Sequence, residues 1–343
     1  MPAGPDRNTG RAHDGRDAVA ERGEKGGLAE TRGNVGPRLP VAVGREGFNQ
    51  QAVEEGHRLI LPELVVLGVA YGLLFGVLAL GLTLVWGVMK VVNIAHGDFV
   101  TVGAYSSYWL FTLAGVHPIL SLLFTIPFGF GLGLLVYLGL VRRVANAPEL
   151  MSLFLTFGLS TLISSLLLNL YSPNQRGVPI SFPSINGLGV VLPGSVAIAA
   201  AYSVVVAVLL RLFLRRTFWG KAIRAVTEDR EAALLMGINP EAVSLLSFGI
   251  GVAIATSVGS IVILLQAVTP TVGGDFTLLS FVIVVLGGLG SPLGALIGGV
   301  VIGVVNNVAS LYLNAAVTPA IGFIVLVVVL IVRPSGIAGL KPD

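Results

Sequence analysis

The chain has 343 residues, 54% of them hydrophobic and 11% charged, with a formal net charge of +3 and a mean hydropathy of +0.89. Soluble domains carry about 25% charged residues, so the composition is that of an all-α polytopic membrane protein. No stripe of Lys and Arg alternates with aromatics, which excludes nucleic acid as a partner; the absence of Cys excludes disulfides, thiolate metal sites and cysteine nucleophiles.

Residues 1–58 are rich in Gly, Arg, Glu, Asp and Ala, with acids and bases in balance and no apolar periodicity. Such a segment cannot offset its own ordering entropy and is expected to be a disordered polar extension. It lacks the apolar core of a signal peptide. No Met stands between Met1 and Met89, so a translation start inside this stretch would need another codon. Residues 59–343 read as the transmembrane domain. About 20 apolar residues span a bilayer, and about eight such helices are expected, near 62–88, 94–113, 118–141, 150–170, 195–214, 242–267, 276–310 (interrupted) and 317–332.

The first interruption is VVNIAHGDFVTVGAY, residues 91–105, which sets Asn93, His96, Gly97 and Asp98 between apolar stretches. An Asp at the bilayer centre costs about 2.5–3.5 kcal/mol on insertion scales. Backbone at that depth leaves the helix only where protein or trapped water satisfies its polar groups. Asn93 is suited to cap a helix running from Ile94, and Asp98 near that N-terminus gains from the helix dipole. Two readings stay open: these residues hold a broken helix in shape, or they line or gate a path. His96 has no second His within helical reach, which argues against a metal site.

The connector 171–194, full of Pro, Gly, Ser and Asn, reads as an ordered external loop. Arg142 and Arg143, the basic cluster from Arg211 to Arg230, and Arg333 with Lys341 place three segments in the cytoplasm. One crossing is then missing before the C-terminus, and counting 276–310 as a hairpin or re-entrant element broken at GGLGSPLG restores it. Gly287, Gly288, Gly290, Ser291 and Gly294 lie in that break, read here as the counterpart of the first. A pair of Gly-interrupted segments in the two halves points to a central transport path. Close small-xxx-small packing is the alternative for the second of them.

Residues 215–241, RRTFWGKAIRAVTEDREAALLMGINPE, form a long charged loop. Thr227 is expected to cap a short helix over 228–236, with Glu228, Asp229 and Glu231 in its first turn. Gly237 can take a left-handed stop, and Asn239–Pro240 starts the next helix. The apolar end of the short helix suits a groove on a partner, or else the membrane surface.

These motifs carry a resemblance. Glu231, Ala232 and Ala233, with Gly237 four residues on, resemble the EAA-xxx-G loop by which permeases of ABC importers grip their ATPases. NIAHGDFVTVGAY resembles the N-x-A-H-G signature of the high-affinity branched-chain amino-acid permeases. LGGLGSPLGALIGG resembles their second signature, and RPSGIAG their closing RP-x-G-I. Over about residues 60–340 the chain is similar to the branched-chain amino-acid permease family of ABC transporters, in its shorter, LivH-like branch. The resemblance implies a multi-pass permease subunit in the bacterial inner (plasma) membrane, moving branched-chain or other hydrophobic amino acids. It implies ATP-binding subunits, a second permease subunit in a heterodimer and an extracytoplasmic binding protein as partners, with lipid around them. The coupling residues would be Glu231, Ala232, Ala233 and Gly237. The path would run by the two breaks.

No nucleotide-binding motif is expected of such a subunit, and Gly220-Lys221 is followed by Ala222 instead of Ser or Thr. ATP hydrolysis is assigned to partners, the chain is not itself an enzyme, and no cofactor is implied. A urea or short-amide permease is the nearest alternative. An ion-coupled carrier would have only Asp98 and Asp275 as intramembrane acids. A membrane enzyme would have neither clustered His nor paired carboxylates to work with.

Overall fold

A computed structural model describes residues 45–145, 147–187, 190–314 and 317–338. Two compact units divide at Gln50, and of the first only residues 45–50, which are helical, are described. Residues 1–44 lie outside the described residues, whereas 45–58 open the helix α1 (Arg45–Met89). Once a spanning segment has nucleated a helix, adding ordinary helix formers such as Gln51, Ala52 and Glu54 to its end costs little.

Ten further helices follow in the described residues: α2 (His96–Ala114), α3 (Pro118–Gly139), α4 (Glu149–Tyr171), α5 (Gly194–Arg216), α6 (Phe218–Glu228), α7 (Arg230–Leu235), α8 (Pro240–Leu265), α9 (Gly273–Gly287), α10 (Pro292–Ala309) and α11 (Thr318–Val332). Six segments are long and apolar enough to cross a membrane: residues 61–89 of α1, then α3 with the turn after it, α4, α5, α8 and α10. The apolar helices α9 and α11 are shorter. The connector between α4 and α5 holds one small antiparallel hairpin, β1 (Ile185–Gly187) with β2 (Val190–Leu192).

The interrupted segment expected over 276–310 is two helices, α9 and α10, joined by a turn at 288–291. Gly287 packs directly on the backbone of Gly294, and a Cβ on Gly298 would stand 2.8 Å from the Ile283 carbonyl, so the pair runs antiparallel as a hairpin. This supplies the missing crossing. Arg142 pairs with Glu241, fixing the end of α3 beside the start of α8 on the cytoplasmic side. On the opposite side, Arg176 and Val268 exchange backbone hydrogen bonds of 3.0 and 2.8 Å, tying the connector to the α8–α9 link.

Lipid tails are as apolar as Leu, so these helices associate through close packing and interhelical hydrogen bonds. Gly68, Gly72 and Gly76 lay one face of α1 on α10. A Cβ on Gly72 would stand 2.6 Å from the Gly299 carbonyl, and one on Gly303 2.3 Å from the Gly68 carbonyl. The hub is α8, which is 83% buried across its most apolar window. Thr256 Oγ1 donates to the Thr125 carbonyl at 3.1 Å and Ser260 Oγ to Thr125 Oγ1 at 2.9 Å, stitching α8 to α3.

Candidate functional site

The chain leaves α1 at its cytoplasmic end and turns back into the protein before α2 begins. Lys90 (φ 56°) makes the turn, and residues 91–93 are non-helical. His96 then lies against α1, its Nε2 3.0 Å from the Leu78 carbonyl. That carbonyl is about 17 Å along the axis from the Met89 end at 1.5 Å per residue, well inside a core about 30 Å thick. The break is therefore at membrane depth, and its backbone groups need partners.

Those partners are threonines from other helices. Thr156 Oγ1 in α4 accepts from the Ile94 N–H at 3.2 Å and lies 2.9 Å from the Val92 carbonyl, to which its hydroxyl can donate. Thr277 Oγ1 in α9 accepts from the Gly97 N–H at 2.9 Å and lies 2.8 Å from the Ile94 carbonyl. The expected cap does not form. Ala95 holds the N-cap position, and Asn93 lends its backbone carbonyl to the His96 N–H at 3.3 Å while both side-chain polar atoms lack a partner. The caps come from across the fold, Thr156 taking the Ile94 N–H and Thr277 the Gly97 N–H.

Asn93, His96 and Asp98 are each 0% exposed. Asp98 Oδ1 accepts from Ser164 Oγ of α4 at 3.0 Å, while Oδ2 and His96 Nδ1 have no partner. Gly97 permits a close approach: a Cβ there would stand 2.0 Å from the Gly273 carbonyl. The first turn of α2 thus rests on the first turn of α9. Both turns carry GDF, within HGDF at 96–99 and GGDF at 273–276. Two half-helix N-termini meet, each with an acid in its first turn to complement the dipole, Asp98 buried and Asp275 exposed.

The element packed on the first break is the start of α9, whereas GGLGSPLG lies at the turn between α9 and α10. Gly287, Gly288, Gly290, Ser291 and Gly294 form the cytoplasmic turn of the α9–α10 hairpin. Gly288 and Gly290 have φ of 101° and 81°, and Ser291 Oγ caps α10 by accepting from the Gly294 N–H at 3.2 Å. Residues 333–338, RPSGIA, cover this turn: the Ile337 and Ala338 N–H groups donate to the last carbonyls of α9, Leu286 and Gly287, at 2.8 and 3.0 Å. A cavity of about 1120 Å³ lies here, with Lys90, Thr227, Gly290 and Arg333 among its walls. Asn93, His96, Gly97 and Asp98 are not among them. Thr156, Thr277 and Ser164 escaped the sequence reading, although the repeated GDF was a visible signal for the second half-helix.

The charged loop folds as two helices where one was expected. Thr227 sits in the last turn of α6 and donates to the Ile223 carbonyl at 2.8 Å. Asp229 is the cap of α7, its Oδ1 accepting from the Glu231 and Ala232 N–H groups at 2.9 Å each. An acid accepts two N–H groups at a helix start better than a hydroxyl, and Asp229 takes the extended backbone that the cap needs. Gly237 (φ 82°) ends α7 as expected, with Gly237 N–H to Leu234 O and Ile238 N–H to Ala233 O, both 3.0 Å. This is the paired Schellman arrangement. Asn239 Oδ1 caps α8. Ala233 is buried, while Glu231 and Ala232 are exposed.

The family described as "Branched-chain amino acid transport system / permease component" matches residues 64–332. LivH of Escherichia coli strain K12, a high-affinity branched-chain amino acid transport permease by name, is 31% identical over 303 residues, covering 80% of this chain and 94% of that protein. BraD of Pseudomonas aeruginosa is 27% identical over 301 residues, covering 81% and 95%. A probable LivH of Methanocaldococcus jannaschii is 29% identical over 299 residues, covering 83% and 93%. No solved structure matches the chain. With its α-helical spans and this match over most of its length, the protein is a multi-pass inner-membrane transport permease, and it belongs to the branched-chain amino acid transport system permease family.

Proposed function

We propose that this chain is the permease subunit of an ABC importer for branched-chain and other hydrophobic amino acids, driven by partner ATP-binding subunits. The observation that carries the reading is the tip of α7. Leu235 and Met236 are 87% and 82% exposed at the end of a charged cytoplasmic loop. Large apolar side chains held out on a rigid, doubly capped helix suit a groove on another protein. Relatives named as branched-chain amino acid permeases support the substrate class.

The path is assigned to a different face from the buried break. Thr161, Ser165 and Asn169 are exposed along α4, with Gly158 above them. Thr161 and Asn169 donate to the Phe157 and Ser165 carbonyls of their own helix at 3.0 and 2.9 Å, and their remaining polar capacity suits a neighbouring helix or a water-filled cavity. Asp98 accepts from Ser164 of α4 and packs closely on Gly273, two residues before the exposed Asp275. This polar face would meet a second permease subunit, leaving the path between the two, with an extracytoplasmic binding protein delivering the amino acid. Asn93, His96, Gly97 and Asp98 then act as the scaffold that holds α2, α4 and α9 in register.

The test is reconstitution in liposomes with candidate ATP-binding subunits, a second permease subunit and a binding protein. Leucine should enter only with ATP and all subunits present, and urea should not. Leu235→Asp with Met236→Asp should release the ATP-binding subunits. Leucine entry driven by a proton gradient without ATP would refute the reading.

A further inference from the structure

A second cavity, of about 370 Å³, opens between α5 and α10 in the cytoplasmic half of the membrane domain. Its walls are apolar, from Leu80 of α1, Val208 and Leu214 of α5 and Leu296 of α10. At its cytoplasmic end the character changes. Arg211 and Arg215 stand one helical turn apart on α5, and Arg224 joins them from α6. All three are exposed. Among the described residues the one ion pair is Arg142 with Glu241, so no carboxylate neutralises this cluster.

An apolar cleft ending in three unpaired guanidinium groups at the level of the cytoplasmic leaflet has the polarity of an anionic phospholipid: acyl chain below, phosphate above. Guanidinium forks match phosphate oxygens in bidentate geometry, and their aliphatic stems lie along apolar surface while the charge stays at the interface. Basic recesses between helices on the cytoplasmic side take anionic lipid head groups. We propose that this cleft is a binding site for one anionic phospholipid of the inner leaflet. Its phosphate is held by Arg211, Arg215 and Arg224, and an acyl chain lies against Leu80, Leu214 and Leu296. Ser291 and Pro292, at the α9–α10 turn, also line the cleft, so the lipid would brace the hairpin against α5 and α6. The inference does not depend on which solute the permease carries.

The experiment uses the full-length chain purified in neutral detergent. Thermal unfolding is followed with added phosphatidylglycerol, phosphatidylcholine or inorganic phosphate. Phosphatidylglycerol should raise the midpoint and native mass spectrometry should show one retained molecule; the other two additions should do neither. Each arginine near an anionic head group strengthens binding about fivefold. Arg211→Gln, Arg215→Gln and Arg224→Gln together should therefore weaken phosphatidylglycerol binding about a hundredfold. Leu296→Trp, which fills the cleft and keeps the arginines, should also lose the bound lipid. Arg143→Gln, elsewhere on the cytoplasmic side, should leave it in place. Equal stabilisation by phosphatidylcholine, an effect of free phosphate matching the lipid's, or a triple variant that still prefers phosphatidylglycerol would overturn the proposal. So would loss of the lipid on assembly with the second permease subunit, since the cleft would then be a protein interface.

Discussion

Replacing Gly237 by Val tests whether α7 is the handle for the ATP-binding subunits. Gly237 sits at φ 82°, where an L-residue costs about 1–2 kcal/mol and a β-branched one more. Its conformation also positions two terminal bonds, Gly237 N–H to Leu234 O and Ile238 N–H to Ala233 O, each contributing about 0.5–1.5 kcal/mol. Val must either bear that strain or give up those bonds, so about 1–3 kcal/mol acts on a helix of 6 residues, far below the length at which a helix is stable alone. A Cβ at this position meets nothing within 4 Å, so overpacking contributes nothing and the spans are untouched. Gly237→Val should therefore insert and fold normally while copurification of ATP-binding subunits and ATP-driven uptake each fall at least about tenfold. Gly237→Asn, which tolerates the left-handed region, should retain most of both. Wild-type copurification and uptake in Gly237→Val would refute the reasoning, as would an Asn variant that fails as completely as Val.

Gly97→Ala places a Cβ 2.0 Å from the Gly273 carbonyl and 2.5 Å from the Thr277 nitrogen. Neither backbone atom can swing aside, so detergent-solubilised protein should lose about 1–3 kcal/mol or more of stability, read as a lowered thermal midpoint, whereas Gly158→Ala, on open surface within α4, should not lower it. Thr277→Val removes the hydroxyl between Gly97 and Ile94 and should cost about 1–3 kcal/mol by leaving buried backbone groups unpaired; Thr277→Ser should recover most of that midpoint. Asp98→Asn keeps an oxygen to accept from Ser164, so uptake should stay within about threefold of wild type. Its abolition with the fold intact would make the charge itself the working part and return the carrier reading to contention.

The sequence by itself determined what depends on neighbours along the chain. Apolar runs of bilayer length named the spans because helix rise and core thickness are fixed quantities. Gly237 and Asn239–Pro240 were legible because a left-handed stop and a side-chain cap act within one or two residues. Thr227 was misplaced by the same local logic: two residues along this acidic stretch could cap, and the packing of α6 decided for Asp229. Tertiary structure alone decided how the break at 91–95 is satisfied. The partners of Ile94 and Gly97 are Thr156 and Thr277, separated by 62 and 180 residues, and nothing in the turn encodes that distance. Asn93 was the reasonable local cap and does not serve as one. The glycine-rich stretch 287–294 was the more visible interruption, yet it turns at the cytoplasmic surface, where water also satisfies backbone. The less conspicuous GGDF at 273–276 starts at membrane depth against its counterpart HGDF. Depth in the bilayer, which makes an unpaired backbone group expensive, is a property of how the helices pack, and glycine content does not report it.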